Sequence, residues 1–172
     1  MTIEKKLAKK LAVLFVRTAN ICRSPTAEAV FRHKAERAGI LQHLAIDSAA
    51  THEYKIGDAP DPRSQAAALK RGYDLSALRA RLLGRYDLEE FDFVIGMDLK
   101  NLTVLHRLGE PDLWQKPTLM MSYSRLYQVK EIPDPYNGGA EGFELTLDML
   151  ESATDGLLLV VQDRLAAMQV AC

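Results

Sequence analysis

Most of the chemistry this chain offers sits in one run, Val16-Arg17-Thr18-Ala19-Asn20-Ile21-Cys22-Arg23-Ser24-Pro25. An apolar stretch precedes it and a helix-like pattern follows, so it predicts a loop leading from a buried strand directly into a helix N-terminus. Successive backbone N–H groups in such a loop converge on one point, and the helix dipole adds positive potential there. Arg23 contributes a planar fork of donors that matches two oxygens of a phosphate. Residues Arg17, Thr18, Ala19, Asn20, Ile21, Cys22, Arg23 and Ser24 are therefore the candidate oxyanion cradle. On these residues alone, an ordinary strand-to-helix turn with a capping Ser stays open as the alternative.

Positioning that loop requires a sheet. Strand signals fall at Leu11–Val16, Leu44–Ala49, Phe91–Met97 and Thr118–Met121, separated by helical patterns. Ser24 reads as an N-cap with Pro25 in the first turn of a helix that stops at Gly39. Further helices are expected from Asp61 to Arg71, from Leu99 to Leu108, and from Glu141 to about Val170. The last carries the apolar stripe Phe143, Leu147, Leu150, Leu157, Val161, Leu165 and Met168, with Gly156 as an expected weak spot. The order βαβαβαβα and the right-handed crossover rule predict an α/β fold: an open four-stranded parallel sheet with helices on both faces. Ligands in such sheets bind beyond the carboxyl ends of the strands, which is where the loop lies.

The bulk numbers bound the partners. A chain of 172 residues with 48% apolar content is expected to form one domain, residues 11–172, behind a basic leader at 1–10. With 22 Lys+Arg against 23 Asp+Glu, no overall field favours nucleic acid or an anionic membrane, so an anion site must be local. Two cysteines, Cys22 and Cys172, are too few for a disulfide framework, and the start of the chain lacks the pattern of a secretory signal. A cytoplasmic setting is expected. His33, His43, His52 and His106 have no metal-ligand spacing, so neither a metal nor another cofactor is expected.

Over nearly its whole length the sequence resembles the low-molecular-weight protein tyrosine phosphatases, whose loop has the form Cys-x5-Arg-Ser/Thr followed by Pro. Asn20, Cys22, Arg23, Ser24 and Pro25 match, and Thr26-Ala27-Glu28-Ala29 continues the familiar helix start. Ser48-Ala49-Ala50-Thr51, Gly57, Pro60-Asp61-Pro62-Arg63, Ala80-Arg81, Met97-Asp98 and Pro133-Asp134-Pro135-Tyr136-Asn137-Gly138-Gly139 follow in the family's order. The resemblance implies the low-molecular-weight phosphatase fold. It also implies Arg23 as the residue that holds the phosphate in the transition state, Asp134 as the general acid, and Tyr54 and Tyr136 as pocket walls.

Three positions depart from that pattern. Where the family's loop begins with the nucleophilic Cys, this chain has Arg17, a donor with no nucleophilic lone pair. The family's loop Gly is Ala19, which would be strained if the backbone needs a positive φ there. The family's loop-ordering His is Leu78. In the family the thiol equivalent to Cys22 lies beneath the loop without in-line access to phosphorus, so it is a poor substitute nucleophile.

The expected function is a catalytically silent member of this fold, a pseudophosphatase that retains a phosphate- or phosphotyrosine-binding loop. One alternative is an active protein tyrosine phosphatase, through unusual use of Cys22 or with Arg17 a variant of the catalytic Cys. Another is a protein-interaction module with a vestigial pocket. Two placements of Arg17 are open: it rises through the phosphate position to Asp134 and plugs the pocket, or it swings aside as an extra anion clamp.

Overall fold

A computed structural model describes residues 9–170; most of the basic leader, and Cys172, lie outside these. The sheet is built from β1 (Leu11–Arg17), β2 (Leu44–Ala50), β3 (Phe93–Gly96) and β4 (Pro117–Leu119). All pairs are parallel, in the order β2-β1-β3-β4. The helices are α1 (Arg23–Arg37), α2 (Pro62–Lys70), α3 (Asp87–Glu90), α4 (Leu99–Leu108) and α5 (Ala140–Val170). The fold class expected from the βα alternation is the one observed.

The continuous apolar run of β1 reflects burial on both faces, as parallel sheets require. Val13 and Phe15 point into a core shared with Phe31 of α1 and with Leu150 and Leu157 of α5. Leu14 and Val16 point the other way, against Val94, Leu88 and Leu105. A third cluster sits under the loop, where Ile21, Cys22 and Val30 meet Ala68, Leu75 and Leu147. Among the described residues, no helix is long and apolar enough to cross a membrane.

The boundaries shift from expectation for identifiable reasons. β3 starts at Phe93 because the Asp92 carboxylate caps the neighbouring strand, accepting from the Ala12 N–H at 2.8 Å. β4 gives way at Met120 to a 3-10 turn, Met120–Tyr123. The helix Asp87–Glu90 escapes a periodicity reading because four residues are too few to show one. Gly156 is not a weak spot. A Cβ there would lie far inside van der Waals contact with the Tyr123 carbonyl oxygen, so this residue is what lets α5 pack directly on the turn.

Candidate anion site

Arg17 ends β1 and Arg23 begins α1, so the loop between them spans the carboxyl edge of the central strand. Its carbonyls are tied outward. The oxygens of Arg17, Thr18 and Ile21 accept from the N–H groups of Thr51, His52 and Asp61 at 2.9, 3.0 and 2.8 Å. Among the described residues, none of the backbone N–H groups of residues 18–22 donates to a protein acceptor. Cys22 stands at the N-cap of α1 without a side-chain cap. A row of free donors is thus left at a helix N-terminus, which is the physical requirement for holding an oxyanion.

The bracing of the loop differs from expectation at two points. Ser24 is not the N-cap; it lies inside the first turn, and its hydroxyl donates to Asn20 Oδ1 at 2.7 Å. The left-handed residue is Asn20, with φ 55°, not Ala19. Asn tolerates this conformation better than most residues, and Ala19 carries no positive-φ strain. Asn20 and Ser24 are both buried, and the bond between their side chains braces the loop. Ala19 and Leu78 pack against the apolar cluster under the loop. A leucine there contributes packing and no hydrogen bond.

Two guanidinium groups converge on one carboxylate. Arg17 forms an ion pair with Asp134 Oδ2. The same oxygen lies 3.5 Å from Arg23, which is held more tightly by Asp98 Oδ2 at 3.0 Å and by the Ile132 carbonyl at 2.6 Å. Asp134 Oδ1 accepts from the Tyr136 N–H at 3.2 Å, which fixes the turn after it. The Nε atoms of both arginines are buried without an acceptor. Burial, followed by the proximity of Arg17, pushes the Arg23 pKa down to about 10, and burial lowers that of Arg17 as well. The centre of the site is therefore rich in donors and short of acceptors.

The Arg17–Asp134 pair divides two cavities, both of which it lines. The smaller, about 180 Å³, is bounded by Ala19, Ile21, Cys22, Tyr54, Lys55 and Tyr136. Tyr54 stacks on His52 with centroids 5.4 Å apart, and the Arg63 guanidinium lies 5.5 Å from the centre of the Tyr136 ring. The larger, about 850 Å³, opens on the side of Thr18, Arg23 and Asp98. The expected site residues Arg17, Arg23, Asp134, Tyr54 and Tyr136 are thus brought together around one partition. Cys22 is buried, and burial pushes its thiol pKa up, opposed by Ser64 and reinforced by the charge of Asp61. That is the opposite of what a nucleophile needs.

Sequence reasoning assigned no role to Asp98, the Ile132 carbonyl, Arg63 or Lys55. Asp98 had a local signal, since its side chain accepts from the Asn101 N–H as the N-cap of α4. Among the described residues, no group of three or more His, Cys, Asp and Glu side chains is placed to hold a metal ion.

A family model described as low molecular weight phosphotyrosine protein phosphatase matches residues 12–169. The chain belongs to this family. A low molecular weight protein-tyrosine-phosphatase of Streptomyces coelicolor is 40% identical over 156 residues, covering 88% of this chain and 94% of the relative. The low molecular weight phosphotyrosine protein phosphatase of Homo sapiens is 40% identical over 135 residues, covering 77% of this chain and 84% of the relative. Among solved structures, a protein tyrosine phosphatase of Entamoeba histolytica with Hepes in its active site superposes with a TM-score of 0.87. It is 32% identical to this chain, covering 90% of it and 98% of that structure. Membership rests on both sequence and fold.

Proposed function

We propose that this chain is a catalytically silent phosphatase-family protein, one domain over residues 11–172, whose loop still binds phosphate or a phosphotyrosine-type ligand. The observation that carries the reading is the Arg17–Asp134 ion pair at the centre of the loop. Arg17 lies six residues before Arg23, at the first position of the Cys-x5-Arg pattern, where the family's thiolate would attack phosphorus. A guanidinium cannot make that bond. Asp134, the family's proton donor to the leaving phenolate, has its Oδ2 engaged by Arg17. The covalent step therefore lacks its nucleophile, and the second carboxylate oxygen is spent on the Tyr136 turn. The buried thiol of Cys22, with its raised pKa, supplies no replacement.

Of the two placements open to Arg17, the ion pair supports the plug. The free N–H groups, Arg23 and the two unpaired Nε atoms support retained anion binding once Asp134 is displaced. Hydrolysis of p-nitrophenyl phosphate tests the reading. The parent chain should match a heat-killed control, as should Cys22→Ser. Arg17→Cys should exceed the parent on the order of a hundredfold or more, because the cradle and Asp134 are already in place. It should stay below the rates of its active relatives, because Leu78 gives the loop no hydrogen bond. Clear turnover by the parent that survives Cys22→Ser would sink the reading.

A further inference from the structure

The large cavity beyond the Arg17–Asp134 partition has a charge pattern that phosphate binding in the loop does not use. Each carboxylate along it already has a partner within the protein. Asp98 receives Arg23 at 3.0 Å and the Asn101 N–H at 2.9 Å. Glu131 receives the Leu99 N–H at 2.8 Å, and Asp134 receives Arg17. The lysines do not. Lys100 and Lys130 line the same cavity, and among the described residues neither forms an ion pair. Their chain neighbours Leu99 and Val129 line the same cavity and expose apolar surface, at 45% and 49%. The wall is therefore two unpaired cations set beside an apolar shelf, at the edge of a site already short of acceptors.

We propose that this cavity is a second anion subsite, which takes a carboxylate or phosphate on a residue next to the phosphotyrosine of a bound peptide, through Lys100 and Lys130. The inference deepens the phosphotyrosine-binding reading and rests on it. The geometry suits one continuous ligand. Arg17 and Asp134 border both cavities, so a phosphate that takes Asp134's place on Arg17 and Arg23 removes the partition. The aryl ring then lies along Tyr54 and Tyr136 on the small side, and the peptide turns back across the Arg17–Asp134 boundary to bring the acid of its neighbouring residue over Leu99 and Val129 to the lysines. A lone aryl phosphate fills only the first part. Selectivity then comes from the flanking charge, and two exposed lysines act mainly by Coulomb attraction, which salt screens.

The test uses two labelled peptides with a central phosphotyrosine flanked on each side by two Glu or by two Gln. They are titrated by fluorescence polarisation against the full chain, Lys100→Ala/Lys130→Ala, and Lys9→Ala/Lys10→Ala as a charge-matched control elsewhere. The Glu peptide should bind the parent about tenfold more tightly than the Gln peptide. That ratio should fall to about one in Lys100→Ala/Lys130→Ala and persist in the control. A ratio near one in the parent, or one that survives loss of both lysines, overturns the subsite while leaving the loop reading intact. Binding of neither peptide also overturns it. A thermal melt in inorganic phosphate then shows whether the loop reading falls with it: no stabilisation by phosphate rejects both.

Discussion

Arginine meets carboxylate in two assemblies of this molecule, and they are built on opposite plans. Arg71, just after α2, reaches three acids of α5: Glu144 at 2.6 Å, Asp148 at 2.8 Å and Glu151 at 3.0 Å. Glu151 is also bonded by the Tyr73 hydroxyl at 2.8 Å. Burial pulls the Arg71 pKa down, but these carboxylates more than reverse it, so it stands above its ordinary value. At the loop two arginines share Asp98 and Asp134 and both approach one oxygen of Asp134, and burial, followed by the proximity of Arg17, drives the Arg23 pKa down. An assembly that ties α2 to α5 has an acceptor for its cation. An assembly with surplus donors is stabilised only when something else supplies the acceptor.

The contrast can be broken by substitution. Arg71→Ala should lower stability by about 2 kcal/mol in a urea titration, since it leaves three acids facing one another; partial exposure keeps the loss below that of a fully buried pair. A neutral result would mean that the acid-rich cluster is a solvated surface feature. Arg17→Ala should act through ligand instead. With phosphate or tungstate at ten times its Kd, the variant should gain about 1.4 kcal/mol, more than the parent gains under the same conditions, because Asp134 no longer competes. A smaller gain than the parent's would make Arg17 an anion clamp. Arg71→Ala should leave the phosphate response where it is in the parent.

A third pair lies between these extremes. Asp61 caps α2 through the Arg63 N–H and also meets the Arg63 guanidinium at 2.7 Å. Asp61→Ala should destabilise by about 1 kcal/mol at neutral pH, the usual loss for an N-cap. The Arg63 hydrogen bond, opposed by burial, holds the Asp61 pKa below its ordinary value. The contribution is therefore present above about pH 4 and is lost as pH falls through the folded-state pKa, so parent and variant should converge in acid. Divergence on acidification would contradict the sign. The smallest effect belongs to Arg17→Ala without ligand, within about 0.5 kcal/mol of the parent: the lost ion pair is offset by relief of Arg23 and removal of an unpaired buried Nε.

What could be read from the sequence follows the range of the interactions. The apolar run of β1, the stripe of α5 and the glycine stop at Gly39 are local, and each predicted its element. The loop's capacity for an anion was legible too, because a strand feeding Arg23-Ser24-Pro25 leaves free donors whatever surrounds it. The placement of Asp134, Tyr54 and Tyr136 came through family resemblance, since no spacing along the chain brings them to the loop. Backbone detail was misassigned: the left-handed conformation sits at Asn20, where the side-chain bond to Ser24 winds the loop, and that bond is what removes Ser24 from the N-cap. The two cavities and the unpaired lysines depend on how the segment before Asp134 folds across α4. No periodicity encodes that.

One contact far from the loop sets how that segment is mounted. The backbone of α5 at Gly156 lies directly against the Tyr123 carbonyl, and Ser152 holds the next residue, Ser124, at 2.8 Å between hydroxyls. From Ser124 the chain runs without helix or strand to Asp134. The turn thus anchors the near end of the span that leads to the Arg17 partner. Adding a single methyl group at position 156 would push the turn outward, and the strain would fall on the stretch between Ser124 and buried Ile132, whose N–H donates to the Met97 carbonyl at 3.2 Å. A glycine far from the loop thereby sets one end of the span that leads to Asp134, and Ile132 sets the other.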